Sequence, residues 1–334
     1  MSSDAYTHTS ELPPGLSVVI PVFNCSATLP ELWQRLESVL PTLGLDYEVI
    51  FINDASTDNT WETVAALTQG YPQLRGLNFM RNSGQHNAVL AGIRAARYEY
   101  CVTMDDDLQH PPEEIHKLLA TLREGYDVVY GRPEFYNHGI FKAVATQVTK
   151  IMLQKAMGTR GATNIGPFRI LRTHLRDAFA NYRAYFVSID ALLTWGTSRF
   201  GVVKVRHDQR KAGRSTYTLR MLILHTANMM TGFSVFPLQL ASVMGVLLAG
   251  FGGLLFVWVI VKYFFFYDPN QLPVGFTFMA SAVAIFSGAQ LLALGIIGEY
   301  VARMYTRVMD RPSYLIRNTA GSTDAAPEAG TRTQ

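Results

Sequence analysis

LSVVIPVF, from Leu16 to Phe23, decides the fold class. It is a β-branched run behind a Pro-Pro-Gly break, as expected of a buried first strand. A polar turn and an amphipathic stretch around Leu29 to Leu40 follow, then a second run, YEVIFIND, from Tyr47 to Asp54. Strand-like runs recur at LRGLNFM, YCVTMDD and YDVVYG, with helical stretches at Trp61 to Gln69, His86 to Ala96 and Pro112 to Glu124 between them. This alternation predicts an α/β domain with a mostly parallel sheet covered by helices. Ligands of such sheets bind at the carboxyl ends of strands. Here those ends carry Asn24, Asn53 with Asp54, Arg81, Asp105 to Asp107, and Gly131 with Arg132.

Beyond residue 235 the character of the chain changes. The average of 49% apolar residues over 334 positions hides a soluble-looking part, 1–235, and a part, 236–305, that does not look soluble. Phe236 to Phe266 and Phe276 to Ile297 are almost continuously apolar, and each exceeds the roughly 20 residues needed to cross a hydrocarbon core. One such run suits a buried helix of a soluble protein equally well. Two, joined by the short DPNQLP segment, predict a two-helix transmembrane hairpin. Arg206, Arg210, Lys211, Arg214 and Arg220 precede it, Arg303, Arg307, Arg311 and Arg317 follow it, and the connecting loop carries only Asp268. An excess of cations on both flanks places both ends of the hairpin, and the domain before it, on the cytoplasmic side.

The expected scheme is a flexible N-terminus (1–15), a catalytic domain (16–217), a juxtamembrane segment (218–235) and two spans (236–266 and 276–302). The spans are joined by an external loop (267–275), and a cytoplasmic tail (303–334) follows. TLRMLILHTANMMTGF, in the juxtamembrane segment, reads as an interfacial amphipathic helix or as the start of the first span. Thr319 to Gln334 is rich in Ala, Gly, Thr and Ser and predicts disorder. A net charge of +3, with Arg and Lys concentrated beside the apolar spans, favours an anionic bilayer as partner and no nucleic acid. Cys25 and Cys101 are the only cysteines, each in or beside a strand-like run. They predict small buried side chains, no disulfide and a reducing compartment. MSSDAYTHTSELPPG has no basic start leading into an apolar run, so no secretory signal is expected.

The chemistry concentrates in MDDDLQHPPE, Met104 to Glu113. Adjacent carboxylates at a strand end repel one another unless a cation or hydrogen-bond donors compensate. Asp105 and Asp107 have DxD spacing, which a hard divalent metal with a nucleotide diphosphate would satisfy; a solvated acidic turn is the simpler alternative. NDASTDNT, Asn53 to Thr60, offers acceptors for a base and ribose and is equally a turn and helix cap. RNSGQHNAVLAG, Arg81 to Gly92, places a glycine turn before a helix N-terminus able to face phosphate; it also reads as a plain strand-to-helix connection. RKAGRSTY, Arg210 to Tyr217, gathers cations and hydroxyls suited to a phosphate at headgroup level, a reading compatible with a cluster that sets topology.

In order, VVIPVFN, NDASTDNT, RNSGQHNAVLAG, MDDDLQHPPEE, NIGPFRIL, RKAGRSTY and LGIIGEYVARMYTRVMDRPSY resemble the polyprenyl-phosphate glycosyltransferases of glycosyltransferase family 2. Within them the chain looks most similar to bacterial undecaprenyl-phosphate sugar transferases with a C-terminal membrane hairpin, dolichyl-phosphate mannose synthases being more distant. The resemblance covers roughly Leu16 to Arg317. It implies a GT-A-type nucleotide-sugar-binding domain, a nucleotide-sugar donor (UDP-linked), a polyprenyl-phosphate acceptor, Mg²⁺ or Mn²⁺, inversion at the anomeric carbon, and a homo-oligomer, tetrameric in membrane relatives. It further implies a multi-pass protein of the bacterial inner membrane. Pro21, Phe23 and Asp54, with Asp105, would hold the nucleotide. Asp105, Asp107 and Gln109 would organise the metal and diphosphate. Arg132, Arg169, Arg210 and Ser215 would serve the acceptor phosphate or the donor diphosphate, with Asp105, Asp107 and Arg210 the catalytic set.

Several positions depart from the family pattern. Asn53 stands where many relatives have Asp, Asp106 where Ala is common, Cys25 where Glu is frequent, Thr216 where Lys is, and Asn164 where many have Asp. Asn cannot act as a general base, but an ionised lipid phosphate can attack C1 without losing a proton. Two other readings stand beside this one. A processive polysaccharide synthase is disfavoured by the missing QxxRW string and the small number of spans, and a non-catalytic nucleotide-binding scaffold by the retained acidic pair.

Overall fold

The computed structural model describes residues 12–133, 166–183, 187–208, 236–266 and 275–321. The chain divides into two units, one of Met1–Thr218 with Arg311–Gln334, the other of Leu219–Asp310. In the first, strands β1 (Leu16–Val22), β2 (Tyr47–Asn53), β3 (Leu74–Phe79), β4 (Tyr100–Thr103), β5 (Val128–Pro133), β6 (Arg169–Arg172), β7 (Phe200–Val205) and β8 (Ile316–Ala320) form one sheet. Its helices are α1 (Leu29–Val39), α2 (Thr60–Gly70), α3 (Gln85–Ala95), α4 (Ile115–Arg123) and α5 (Ile189–Gly196).

The strand order is β7-β5-β6-β4-β1-β2-β3-β8. β4, β1, β2 and β3 run parallel, as do β5 and β7, whereas β6 is antiparallel to both neighbours and β8 is antiparallel to β3. Every residue of β1 is buried, as a central strand covered on both faces requires. Leu29, Leu32, Trp33 and Leu36 of α1 are buried, at the spacing that gives a helix one apolar stripe. From β1 the chain steps outward to β2 and β3, and β4 then returns to the opposite side of β1. The loops after β1 and β4 therefore diverge and leave a crevice between them.

The parallel core and its helices match the sequence reading. β6, α5 and β7 were not foreseen: β6 is a four-residue strand, and α5 has eight residues, too short to establish a period. The tail differs from expectation at Thr319 and Ala320, which belong to β8 rather than to a disordered end. Composition misled there because edge pairing uses backbone groups, which any residue supplies. Gly321 follows β8 with φ +87°, and a Cβ there would lie 2.3 Å from the carbonyl oxygen of Leu74. Cys101 is buried, Cys25 is half-buried, and both are free thiols.

The second unit holds α6 (Phe236–Phe266) and α7 (Gly275–Val308). Pro237–Leu255 and Ile285–Val308 are long and apolar enough to cross a membrane. Leu247, Leu254, Phe264, Phe265 and Leu291 are exposed, a distribution suited to lipid and unlike that of a soluble core helix. α7 runs six residues beyond the expected end of the second span. Asn164, Arg210, Ser215, Thr216, the juxtamembrane segment 218–235 and residues 267–274 of the expected loop lie outside the described residues.

Candidate active site

Four turns at the carboxyl edge of the sheet build the site. Each carries one residue with left-handed backbone: Asn24 after β1 (φ +51°), Ala55 after β2 (+55°), Gly84 after β3 (+89°) and Leu108 after β4 (+60°). Three are not glycine, and such conformations cost of order 1–3 kcal/mol each, so surrounding contacts must hold them. Leu108 is held by burial of its side chain in the core. Asn24 is held by lacing. Its amide donates to Ser56 Oγ at 2.9 Å, and its Oδ1 accepts from the Thr57 amide at 2.8 Å. Beside it the Cys25 amide donates to Thr60 Oγ1 at 2.9 Å, and Ser26 Oγ donates to Asp58 at 2.9 Å. Much of NDASTDNT thus clasps the loop after β1.

Pro21, Val22, Phe23, Asp54, Asn82, Gly84, Gln85, Asp105, Asp106 and Asp107 line one cavity of about 270 Å³. Phe23 is 47% exposed there, an uncommon state for a large apolar ring and one suited to covering a planar base. Asp54 is buried and accepts from the amides of Ser83 (2.6 Å) and Gly84 (2.8 Å). Burial raises its pKa, and those two amides oppose the shift. Asp54 thereby fixes the turn into α3, which presents Gln85, whose Nε2 donates to Asp105 Oδ1 at 2.5 Å.

The three acidic residues share the wall of this cavity. Asp106 accepts from the Phe23 amide at 3.4 Å, and Asp107 from the Gln109 amide at 3.1 Å. Burial, then the charges of Asp107 and Asp106, push the Asp105 carboxyl up to about 7, against the pull of Arg169. A carboxyl so disfavoured as an anion invites a cation. Among the described residues no group of three or more His, Cys, Asp or Glu side chains is arranged to hold a metal by itself. Mg²⁺ is commonly held by one or two carboxylates together with substrate phosphates and water. Asp105, Asp106 and Asp107 all bring carboxylates to the cavity, and Asp105 and Asp107, at DxD spacing, could hold such an ion.

Of the residues singled out in the sequence, Pro21, Phe23, Asp54, Asp105 and Asp107 meet in this cavity. Gln109 and Arg132 are not in its wall; Arg132 is exposed at the carboxyl end of β5. The Gln109 carbonyl accepts from the Asp208 amide at 2.9 Å, tying the acidic loop to the chain just before RKAGRSTY. Arg169 is placed differently from expectation. It is 3% exposed, ion-paired with Asp190, bonded through Nε to Thr103 Oγ1 at 3.1 Å, and lies over the Tyr130 ring. Its charge reaches Asp105 through the protein interior. Gln85 has no individual signal in the sequence, although it sits in RNSGQHNAVLAG, and Asp106 is legible there only as part of the strand-end group Asp105 to Asp107. Asp190 and Tyr130 had no sequence signal, because their relation to the site depends on how β5, β6 and α5 pack.

The family model described as Glycosyl transferase family 2 matches residues 17–183. The chain belongs to glycosyltransferase family 2. This glycosyltransferase is 35% identical over 309 residues to the undecaprenyl-phosphate 4-deoxy-4-formamido-L-arabinose transferase of Proteus mirabilis, covering 92% of this chain and 94% of that one. It is 34% identical over 320 residues to the enzyme of the same name from Klebsiella pneumoniae subsp. pneumoniae, covering 93% and 95%. Among solved structures it is similar to glucosyl-3-phosphoglycerate synthase from Mycobacterium tuberculosis in complex with Mn²⁺ and uridine-diphosphate-glucose. The TM-score is 0.45 at 18% identity, over 65% of this chain and 77% of that one. The family and the acidic loop at the sheet's switch point agree with a GT-A-type domain, the fold expected from the motifs.

Proposed function

We propose that this glycosyltransferase moves one sugar from a nucleoside-diphosphate sugar, UDP-linked, to undecaprenyl phosphate at the cytoplasmic face of a bacterial inner membrane. The observation that carries the reading is the single cavity that joins Pro21, Phe23 and Asp54 to Asp105 and Asp107. An aromatic face, a fixed turn and paired carboxylates share its wall. The names of the curated relatives, matched over nearly their whole length, support the acceptor, and α6 and α7 support a membrane location.

Phe23 and the loops after β1 and β2 hold the base and ribose, and the turn into α3 brings Gly84 and Gln85 toward the diphosphate. Asp105 and Asp107 would hold Mg²⁺ or Mn²⁺, which would supply neutralisation of the charge on the departing diphosphate. Arg132 at the carboxyl end of β5, with Arg210 and Ser215 in RKAGRSTY, orients the acceptor phosphate. One acceptor oxygen forms the new bond to C1 as the bond from C1 to the donor diphosphate breaks, with inversion; the electron pair leaves on the nucleoside diphosphate. The acceptor is already ionised, so no general base is needed, and Asn164 is no obstacle. Fixed positioning and charge stabilisation supply the rate.

The test offers the purified protein undecaprenyl phosphate, Mg²⁺ or Mn²⁺ and a panel of nucleotide sugars, with products read by mass spectrometry. A lipid gaining one sugar mass is expected with at least one donor, and Asp107→Ala should cut turnover by about 10²-fold or more at an unchanged unfolding temperature. Wild-type activity in a folded Asp107→Ala protein would overturn the metal-site assignment, and chains of several sugars would point to a processive synthase.

A further inference from the structure

Three asparagines stand side by side on neighbouring strands. Asn53 ends β2, Asn78 is its register partner on β3, and Asn318 is the register partner of Asn78 on β8. Their amides form one ladder. Asn53 Nδ2 donates to Asn78 Oδ1 at 2.8 Å, and Asn78 Nδ2 donates to Asn318 Oδ1 at 2.9 Å. On the other side of Asn53, its Oδ1 accepts from Ser56 Oγ at 2.5 Å and from the Ser56 amide at 3.3 Å. Ser56 Oγ in turn accepts from the Asn24 amide at 2.9 Å. Asn24 follows Phe23, which lines the cavity. An unbroken run of hydrogen bonds therefore joins the C-terminal strand to the rim of the donor site.

The ladder has a direction, because each amide has one donor end and one acceptor end. The two Ser56 donors hold Asn53 Oδ1 toward the loop, so Asn53 Nδ2 must find an acceptor on β3. That turns Asn78 so that its own donor faces β8, where an acceptor has to stand. Asn53 and Asn78 are 2% and 7% exposed, so an end without a partner is costly. Asn318 supplies the last acceptor.

We propose that β8 is part of the donor site and that Asn318 is a positioning residue. Through Asn78 it fixes the amide of Asn53, and through Ser56 it fixes the loop that carries Phe23. The inference rests on the nucleotide-sugar reading, since the donor is what that loop holds. It carries a rule of polarity. Asp at 53 accepts from Ser56 and from Asn78, so Asn78 turns about and shows its oxygen to β8, where Asn318 turns to donate. Asp at 318 accepts, as the present direction already requires. Each single change leaves a consistent ladder. Both together set acceptor against acceptor at one joint, whichever way Asn78 turns.

The experiment compares full-length wild type, Asn53→Asp, Asn318→Asp, the double variant and Asn318→Leu. UDP, GDP, CDP and TDP are titrated in the presence of Mn²⁺, with thermal unfolding followed in parallel. Wild type should bind at least one nucleotide. Each single Asp variant should weaken that binding by no more than about threefold, and the double variant by roughly tenfold beyond the product of the singles. Asn318→Leu should weaken it by roughly tenfold, which Asn318→Asp, keeping the acceptor, largely restores. Should the double variant fail to fold, the contrast between Leu and Asp at 318 still decides. Wild type binding none of the four would overturn the donor reading and this inference with it. Losses that multiply without excess, Leu and Asp behaving alike at 318, or lowered unfolding temperatures at unchanged nucleotide affinity would overturn the role of Asn318 and leave the donor reading standing.

Discussion

Arg169 shows how one buried charge serves the site from behind it. A guanidinium out of water is costly, and the ion pair with Asp190 offsets this only because Thr103 and Tyr130 complete the hydrogen bonds: Tyr130 donates to Asp190 Oδ1 at 2.9 Å. Thr103 ends β4, two residues before Asp105, so the arginine sits at the base of the acidic loop and its field favours the ionised carboxylate. Arg169→Met should leave Asp190 buried without its counter-charge and destabilise the sheet unit by about 3–5 kcal/mol. The double change Arg169→Met with Asp190→Leu should recover most of that loss, because no unpaired ion remains. Denaturant unfolding in detergent, followed by tryptophan fluorescence, would check this; a double variant no more stable than Arg169→Met would refute the account. At this scale the sequence was legible where chemistry is crowded. Asp105 and Asp107 announce themselves because adjacent carboxylates need an explanation, whereas burial of Arg169 is invisible in a string that reads only as FRIL.

Among the elements, α3 is the one whose placement the site feels most directly, since its first residues are Gln85 and His86 and its preceding turn is fixed by Asp54. It lies close against the sheet at Gly92, where an added Cβ would meet Val19 Cγ1 at 2.2 Å and Ile52 Cδ1 at 2.8 Å. Gly92→Ala would gain about 1 kcal/mol of helix propensity, but overpacking costs about 1–3 kcal/mol, and the helix must lift from β1 and β2 to relieve it. Lifting carries Gln85 away from Asp105. The variant should therefore unfold at a lower temperature and bind nucleotide with Mn²⁺ more weakly, both measurable on one preparation; an Ala variant as stable as wild type would show that the helix can shift freely. Long regular elements such as α1 and α3 were legible from periodicity and turn residues. β6 and β7 were not, because each is defined by its pairing partners across the sheet, which no local pattern encodes.

For the molecule as a whole, the telling feature is that the chain leaves the sheet unit after Thr218 and re-enters it at Arg311. The returning tail is firmly docked. Ser313 is buried, Tyr314 stacks on Phe79 at 5.0 Å with the rings 4° from parallel, and the Met80 amide donates to the Leu315 carbonyl at 2.9 Å before β8 pairs with β3. RPSY was recognisable in the sequence as a family string, but nothing in the five residues of β8 signals a strand, so the unit's dependence on its own C-terminus was not legible. The apolar spans can therefore be removed in two ways with different consequences. A variant ending at Thr218 loses β8, bares the edge of β3 and strands the Asn78 donor, so it should unfold at a lower temperature, aggregate through the open edge and bind nucleotide poorly. A variant with Leu219–Asp310 replaced by a flexible Gly-Ser linker of similar length keeps β8 covalently at hand. The added loop-closure cost grows only slowly with linker length, and this protein should retain nucleotide binding while transferring sugar to long-chain lipid far less well than the full chain. Equal unfolding temperature and nucleotide affinity in the two variants would mean that β8 is an ornament of the sheet. A clear gap would make the C-terminal strand a working part of a catalytic unit whose first and last strands are separated in sequence by the membrane hairpin.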